Sequence, residues 1–141
     1  MNLFAESSAL LSWLLGEADA TRVSHALGGA EGVAVSDLVI LECERAFIRM
    51  LTLGMIDKAA HSDLQVRLHA ALGHWSRWRI SPEIIERARH PFPGEPIRTL
   101  DALHLAAALA VRSVVPGLEL LSLDDRIRRA GEQLGFKLQP T

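Results

Sequence analysis

Four carboxylates stand where a plain apolar core would not put them. Glu6 closes the N-terminal run Asn2-Leu3-Phe4-Ala5, and Glu42 interrupts Leu38-Val39-Ile40-Leu41-Glu42-Cys43. Asp101 lies in the first turn of Leu100-Asp101-Ala102-Leu103-His104-Leu105-Ala106-Ala107-Ala108-Leu109, and Asp124 follows Leu120-Leu121-Ser122-Leu123. Three of them have ordinary roles open to them. Asp124 can cap a helix, Asp101 can complement a helix dipole, and Glu42 can pair with Arg45 and Arg49 on its own helix face. Glu6, at the end of a terminal strand, needs no cap. Taken together, two acids from strand ends and two from helices can meet in one crevice. Carboxylates crowded within a few Å raise one another's pKa. A divalent cation relieves that crowding, and hard oxygen ligands select Mg²⁺ or Mn²⁺. The chemistry such a set serves is phosphodiester hydrolysis.

The elements that must carry these acids follow from periodicity and punctuation. Asn2 to Glu6 reads as a strand. Ala9 to Leu15 reads as a helix stopped by Gly16, and Asp19 to Leu27 as a second, stopped by Gly28-Gly29. Gly32 to Val35 is a short strand, and Ser36-Asp37 caps a long helix to Leu53. Asp57 opens another helix to about Leu72. Trp75 to Ile80 reads as a strand, and Ser81-Pro82-Glu83 as a helix start with proline at its first position. His90 to Pro96 carries three prolines and a glycine and is a loop. Thr99 to Val111, apolar nearly all round, is a buried helix. Leu118 to Leu123 is a fourth strand, Asp124 to Leu134 a helix, and Phe136 to Leu138 an edge strand. Strands alternating with helices predict an α/β fold with a mostly parallel sheet. Ligands then bind at the carboxyl ends of the strands.

Composition narrows the class. The chain has 141 residues, 49% of them hydrophobic and 23% charged, the usage of one ordinary globular domain spanning 1–141. About two-thirds of its surface is expected to be buried on folding. No apolar run approaches a membrane span, and the first residues, with Glu6 among them, do not read as a signal peptide. The lone Cys43 reads as a buried thiol, which fits a reducing, cytoplasmic setting. Net charge is −2, so no bulk basic field announces nucleic acid. The cations are nearly all arginine, with Lys58 and Lys137 the only lysines, and arginine's fork suits phosphate. His61, His69 and His74 match no zinc spacing. Trp75-Ser76-Arg77-Trp78-Arg79 alternates aromatics with cations as single-strand binders do, but tryptophans in so short a strand usually serve the core. There is no phosphate-binding glycine loop and no Gly-x-Ser-x-Gly elbow.

The N-terminal strand with Glu6-Ser7-Ser8-Ala9-Leu10-Leu11, the helix from Ser36-Asp37-Leu38 to Glu42, the run Arg98-Thr99-Leu100-Asp101-Ala102-Leu103-His104-Leu105-Ala106, and Leu121-Ser122-Leu123-Asp124-Asp125-Arg126 with Leu134-Gly135-Phe136 together resemble a PIN domain. More narrowly they resemble the VapC-type ribonuclease toxins of toxin–antitoxin pairs. The resemblance covers essentially the whole chain. It implies an α/β/α sandwich, Mg²⁺- or Mn²⁺-dependent cleavage of RNA, and an acidic quartet formed here by Glu6, Glu42, Asp101 and Asp124. It also implies a homodimer and a cognate antitoxin whose segment covers the cleft. The apolar helices Leu10 to Leu15 and Leu38 to Met50 carry surface suited to an interface. Ser8 and Ser122 are placed to orient carboxylates or to cap helices, and Asp125 reads as a first-turn helix acid. His104, three residues beyond Asp101, reads as a core histidine or as a partner of that carboxylate. The chain departs from the family at its first acid, which is usually aspartate and here is Glu6. Two functions remain at this level, a metal-dependent endoribonuclease and a PIN-like interaction module without catalysis.

Overall fold

The computed structural model describes residues 1–141. Five strands, β1 (Asn2–Ala5), β2 (Gly32–Ser36), β3 (Ser76–Trp78), β4 (Glu119–Leu121) and β5 (Leu138–Gln139), form one sheet in the order β3-β2-β1-β4-β5. Every neighbouring pair is parallel. Parallel neighbours need crossover connections, and helices supply them: α1 (Ser7–Leu15), α2 (Ala20–Gly28), α3 (Asp37–Thr52), α4 (Lys58–Leu72), α5 (Pro82–Ala88), α6 (Thr99–Val114) and α7 (Asp125–Gln133).

The period-2 alternation of the strands divides the core in two. Leu3, Ala5, Val33, Val35 and Leu121 face one layer with Leu10, Leu14, Val39, Ile40 and Phe47 of α1 and α3. Phe4, Ala34 and Leu120 face the other, with Ile84 of α5, the alanines of α6 and Ile127 of α7. The result is an α/β/α sandwich. Ala106, Ala107 and Ala108 of α6 are all buried, and their small side chains let that helix lie close against the sheet. Gly131 does the same for α7, since a Cβ there would meet Leu120 Cδ2 at 2.5 Å. No helix is long and apolar enough to cross a membrane.

The chain runs outward from β1 through β2 to β3, then returns to the other side of β1 for β4 and β5. The order therefore reverses between β1 and β4. In open parallel sheets such a reversal opens a crevice at the carboxyl ends of the strands.

Some expected boundaries are corrected. β1 ends at Ala5 rather than Glu6, which is instead the N-cap of α1. β4 ends at Leu121, so Asp124 lies three residues past the strand and caps α7. The strand expected over Trp75 to Ile80 pairs only over Ser76–Trp78, as an edge with one neighbour. β5 falls on Leu138–Gln139 rather than Phe136 to Leu138, because Phe136 turns inward as a core residue. α6 continues to Val114. Of the apolar residues from Leu10 to Leu15, Leu10 and Leu14 are core, while Leu11, Trp13 and Leu15 pack against that core and stay partly exposed. Along Leu38 to Met50, Leu41 and Ile48 do remain exposed. Trp75 packs beside Trp13 with ring centroids 5.9 Å apart, and Trp78 packs on the second core layer.

Candidate acidic site

Glu6 follows the strand at one lip of the β1/β4 crevice. It is 4% exposed, and its carboxylate is held on both oxygens. Oε1 accepts from Ser7 Oγ at 2.8 Å. Oε2 accepts from the Ser8 backbone N–H at 3.2 Å, from Ser122 Oγ at 2.7 Å and from Ser8 Oγ. The expectation that this glutamate needs no cap is thus corrected: its own side chain caps α1. The backbone N–H of Glu6 donates to Leu121 O at 2.9 Å, so it continues the β1/β4 pairing one residue past the strand.

The other lip is the segment 122–124 after β4. Asp124 N–H donates to Ser8 Oγ at 3.2 Å and to Ser122 Oγ at 3.1 Å, and Leu123 N–H donates to Ser8 Oγ at 2.9 Å. Two serines far apart in sequence thereby tie Glu6 to Asp124. Asp124 Oδ1 accepts from the N–H groups of Arg126 and Ile127, which leaves Oδ2 without a hydrogen bond. Arg128 holds the lip from behind, donating to the carbonyls of Ser122, Gln139 and Pro140 at 2.7, 3.0 and 2.9 Å. Nothing in the local sequence distinguishes Arg128 from its arginine neighbours.

Glu42 reaches the site from the second turn of α3. Its Oε1 lies 3.1 Å from Ser7 Oγ, sharing that hydroxyl's one proton with Glu6, and pairs with His104 Nε2 at 2.5 Å. The partner is therefore His104 of α6, rather than Arg45 or Arg49 on its own helix. Burial alone would push the Glu42 carboxyl up, but the hydrogen bond and charge of His104, with help from Ser7, hold it below its ordinary value. Burial would likewise push His104 down, yet Glu42, Glu6 and Asp101 together hold its pKa up. His104 Nδ1 is buried without a partner. Cys43, beside Glu42, is buried, and burial with the nearby Glu42, Glu6 and Glu44 charges pushes its thiol up to about 12. It is an inert thiol.

Asp101 differs from the other three. No hydrogen bond helps its carboxylate. Burial and the charge of Asp124, with a lesser contribution from Glu6, raise its pKa, and the charges of His104 and Arg126 offset part of that rise. Glu6, Asp124 and Asp101 are thus close enough to repel, and Glu42 joins them through Ser7 and His104. As placed, no three His, Cys, Asp or Glu side chains converge closely enough to hold an ion. The donor set nevertheless fits a hard cation in kind: Asp101 is an unpartnered carboxylate under repulsion from two others, and Asp124 keeps one oxygen free. Sequence reasoning missed Ser7 and the Glu42–His104 pair. The only available sign of the latter was the i, i+3 spacing of Asp101 and His104 on one helix face.

The fold has close counterparts among solved structures. It is similar to VapBC2 from Rickettsia felis, solved bound to a DNA fragment from their promoter, with TM-score 0.65 and 13% identity over 99% of this chain and 98% of that one. It is similar to Mycobacterium tuberculosis VapC20, described as a Sarcin-Ricin loop cleaving toxin, with TM-score 0.64 and 16% identity over 92% and 95% of the two chains. A toxin–antitoxin complex from Klebsiella pneumoniae matches with TM-score 0.62 and 21% identity over 88% and 87%. No curated protein matches the sequence. The family model of the PIN domain matches residues 3–133, nearly the whole chain and all four acids, and on that ground the chain belongs to the PIN domain family.

Proposed function

We propose that the protein is a metal-dependent endoribonuclease that hydrolyses RNA phosphodiester bonds, and that it is the toxin of a type II toxin–antitoxin pair. The observation that carries this reading is Asp101. It is an unpartnered carboxylate, its pKa raised by burial and by the charges of Asp124 and Glu6, at the crevice where the strand order reverses. Membership of the PIN family and the likeness to toxin structures support it.

Asp101, Glu6 and Asp124 are the residues that would hold Mg²⁺ or Mn²⁺, with Glu42 as a further ligand or as an acceptor for bound water. When bound, such an ion neutralises phosphate charge and brings the pKa of water toward neutrality. Ser7, Ser8 and Ser122 keep the Glu6 carboxylate from swinging, and the Glu42–His104 pair fixes the second acid. The acids orient the attacking water opposite the leaving 3′ oxygen, so the products carry 5′-phosphate and 3′-hydroxyl ends. The protein acts as a homodimer in the cytoplasm and is silenced by an antitoxin segment laid across the cleft.

One observation favours the second reading, an interaction module without catalysis: both oxygens of Glu6 already accept hydrogen bonds from serines. One experiment separates the two. The purified protein is incubated with RNA in Mg²⁺, in Mn²⁺ and in EDTA. The nuclease cleaves with either metal and stops in EDTA. Its thermal midpoint also rises with metal, by the equivalent of about 2.7 kcal/mol at a metal concentration of 100 Kd. Cleavage unchanged in EDTA would sink the metal mechanism. No cleavage under any metal, with no thermal shift, would establish the module.

A further inference from the structure

Beside the acids lies a cleft of about 660 Å³ between the start of α6, the loop before it and one face of α7. Asp101 forms part of its lining, so the cleft opens directly from the acidic site. Arg98 contributes from the residue before α6, and Arg126 and Arg129 from α7. Residues three apart share a helix face, so the two α7 cations point the same way. All three are exposed, and none forms an ion pair. The arginines that do pair with acids are Arg22, Arg77 and Arg89, outside this cleft. Arg128, between Arg126 and Arg129, is instead tied to three backbone carbonyls. A protein of net charge −2 thus concentrates three guanidinium groups in one hollow, none of them in an ion pair, with Arg126 within electrostatic reach of Asp101.

The rest of the lining indicates what they bind. Ile97 and the buried Leu105 give an apolar floor, and Gln133 adds an amide at the rim, close over Gly94. Guanidinium forks take phosphate bidentately and stack on bases. An apolar floor with an amide at its edge suits a sugar and a splayed base better than a bare anion. A carboxylate-rich peptide would face repulsion from Asp101 and the acids behind it. A phosphodiester strand has one phosphate to place among the acids and the next to place among the arginines.

We infer that this cleft holds the nucleotide flanking the cut in single-stranded RNA, with its phosphate among Arg126, Arg129 and Arg98. The inference rests on the nuclease reading for the position of the cut, and binding can be measured without cleavage. A short labelled single-stranded RNA is titrated against the protein in EDTA over a range of salt. The variants are Arg126→Gln with Arg129→Gln, Arg98→Gln, and Lys58→Gln as a charge control on α4. The double variant is expected to bind severalfold more weakly at low salt. The slope of log affinity against log salt should fall by about 0.7 for each phosphate that the variant no longer neutralises. Lys58→Gln should change neither, and circular dichroism confirms that all variants are folded.

Wild-type protein that fails to bind RNA, or a double variant with unchanged affinity and slope, would overturn the inference. Equal affinity for duplex RNA would overturn the single-strand assignment, and arginine-dependent binding of polyglutamate in place of RNA would reassign the cleft to a protein partner. Cleavage in Mg²⁺ separates this inference from the nuclease reading. If the wild type cleaves and the double variant keeps the same KM, the cleft assignment fails and the nuclease stands. If RNA binding depends on the arginines but no metal supports cleavage, the nuclease fails and the cleft stands as an RNA-binding site.

Discussion

The acidic site has two unlike halves. On the Glu6–Glu42 side every carboxylate has partners: Ser7, Ser8 and Ser122 hold Glu6, and Ser7 and His104 hold Glu42. On the Asp101–Asp124 side one carboxylate has no hydrogen bond and the other has a free oxygen. The first half is a polar network in which hydrogen bonds offset much of the burial of charge, although Glu42 Oε2 accepts no hydrogen bond and His104 Nδ1 is buried without a partner. The second half keeps repulsion that His104 and Arg126 relieve only in part. A site that must accept a cation and an anionic substrate benefits from both, since the fixed half supplies geometry and the strained half supplies affinity. Substitution in the first half should therefore cost stability as well as activity, and substitution in the second should cost activity alone.

The largest effect is expected at Asp101. Asp101→Asn removes a charge and keeps the shape, and RNA cleavage should fall by more than about 100-fold, beyond what loss of a supporting residue around a metal usually costs. Because burial and neighbouring acids raise the Asp101 pKa, its ionised form disfavours the fold at neutral pH. The thermal midpoint of Asp101→Asn should accordingly be equal to or above that of the wild type, and should no longer rise with Mn²⁺. A clear loss of stability would erase the distinction between the halves.

Glu6→Ala tests the other side. It strips the acceptor from three hydroxyls and one N–H, and leaving a buried polar group unsatisfied costs about 1–3 kcal/mol. Urea unfolding should show a loss of at least that size. A midpoint equal to the wild type would mean the serine network does not stabilise the fold.

Ser122→Ala sharpens the comparison, because Ser122 serves both halves, donating to Glu6 and accepting from Asp124 N–H. It should lower stability by about 1 kcal/mol and cleavage by roughly tenfold. An effect on stability alone would confine Ser122 to a structural role.

The smallest effect is a change of pH profile in His104→Gln. His104 is held above its ordinary 6.5, so the stability it contributes is present below that value and is lost as pH rises through its folded pKa. Glu42 is held below its ordinary 4.5, so its contribution is present above that value and is lost as pH falls through its folded pKa. The pair stabilises most between the two. Thermal midpoints measured from acid to alkaline pH should show a decline above 6.5 in the wild type that His104→Gln lacks. Parallel profiles would show that the pair is not charged in the folded protein.

Much of this architecture is legible in the residues themselves. Gly16, Ser36, Gly54, Asp57, Pro82 and Gly135 are local punctuation, and local punctuation acts through the backbone of its own few residues. Seven helices and five strands accordingly fall near their expected places. The misplaced ends, at Trp75 to Ile80 and at Phe136, are edges of the sheet, where pairing partners rather than residue preference decide how far a strand runs. The four acids are conspicuous for the same local reason, each interrupting an apolar run.

What each acid does was decided only by tertiary structure. Glu6 and Ser122 are 116 residues apart and meet because β1 lies beside β4 in the sheet. Glu42 meets His104 because α3 and α6 both reach the carboxyl edge of that sheet. Strand order is a property of the whole chain's packing and leaves no periodic mark on any one segment. The sequence alone determined that carboxylates and arginines would stand at the exits of apolar elements. The fold determined which carboxylate is held by hydrogen bonds, which is left bare, and which arginines share a hollow with it, because a side chain's partners depend on neighbours brought together from distant segments.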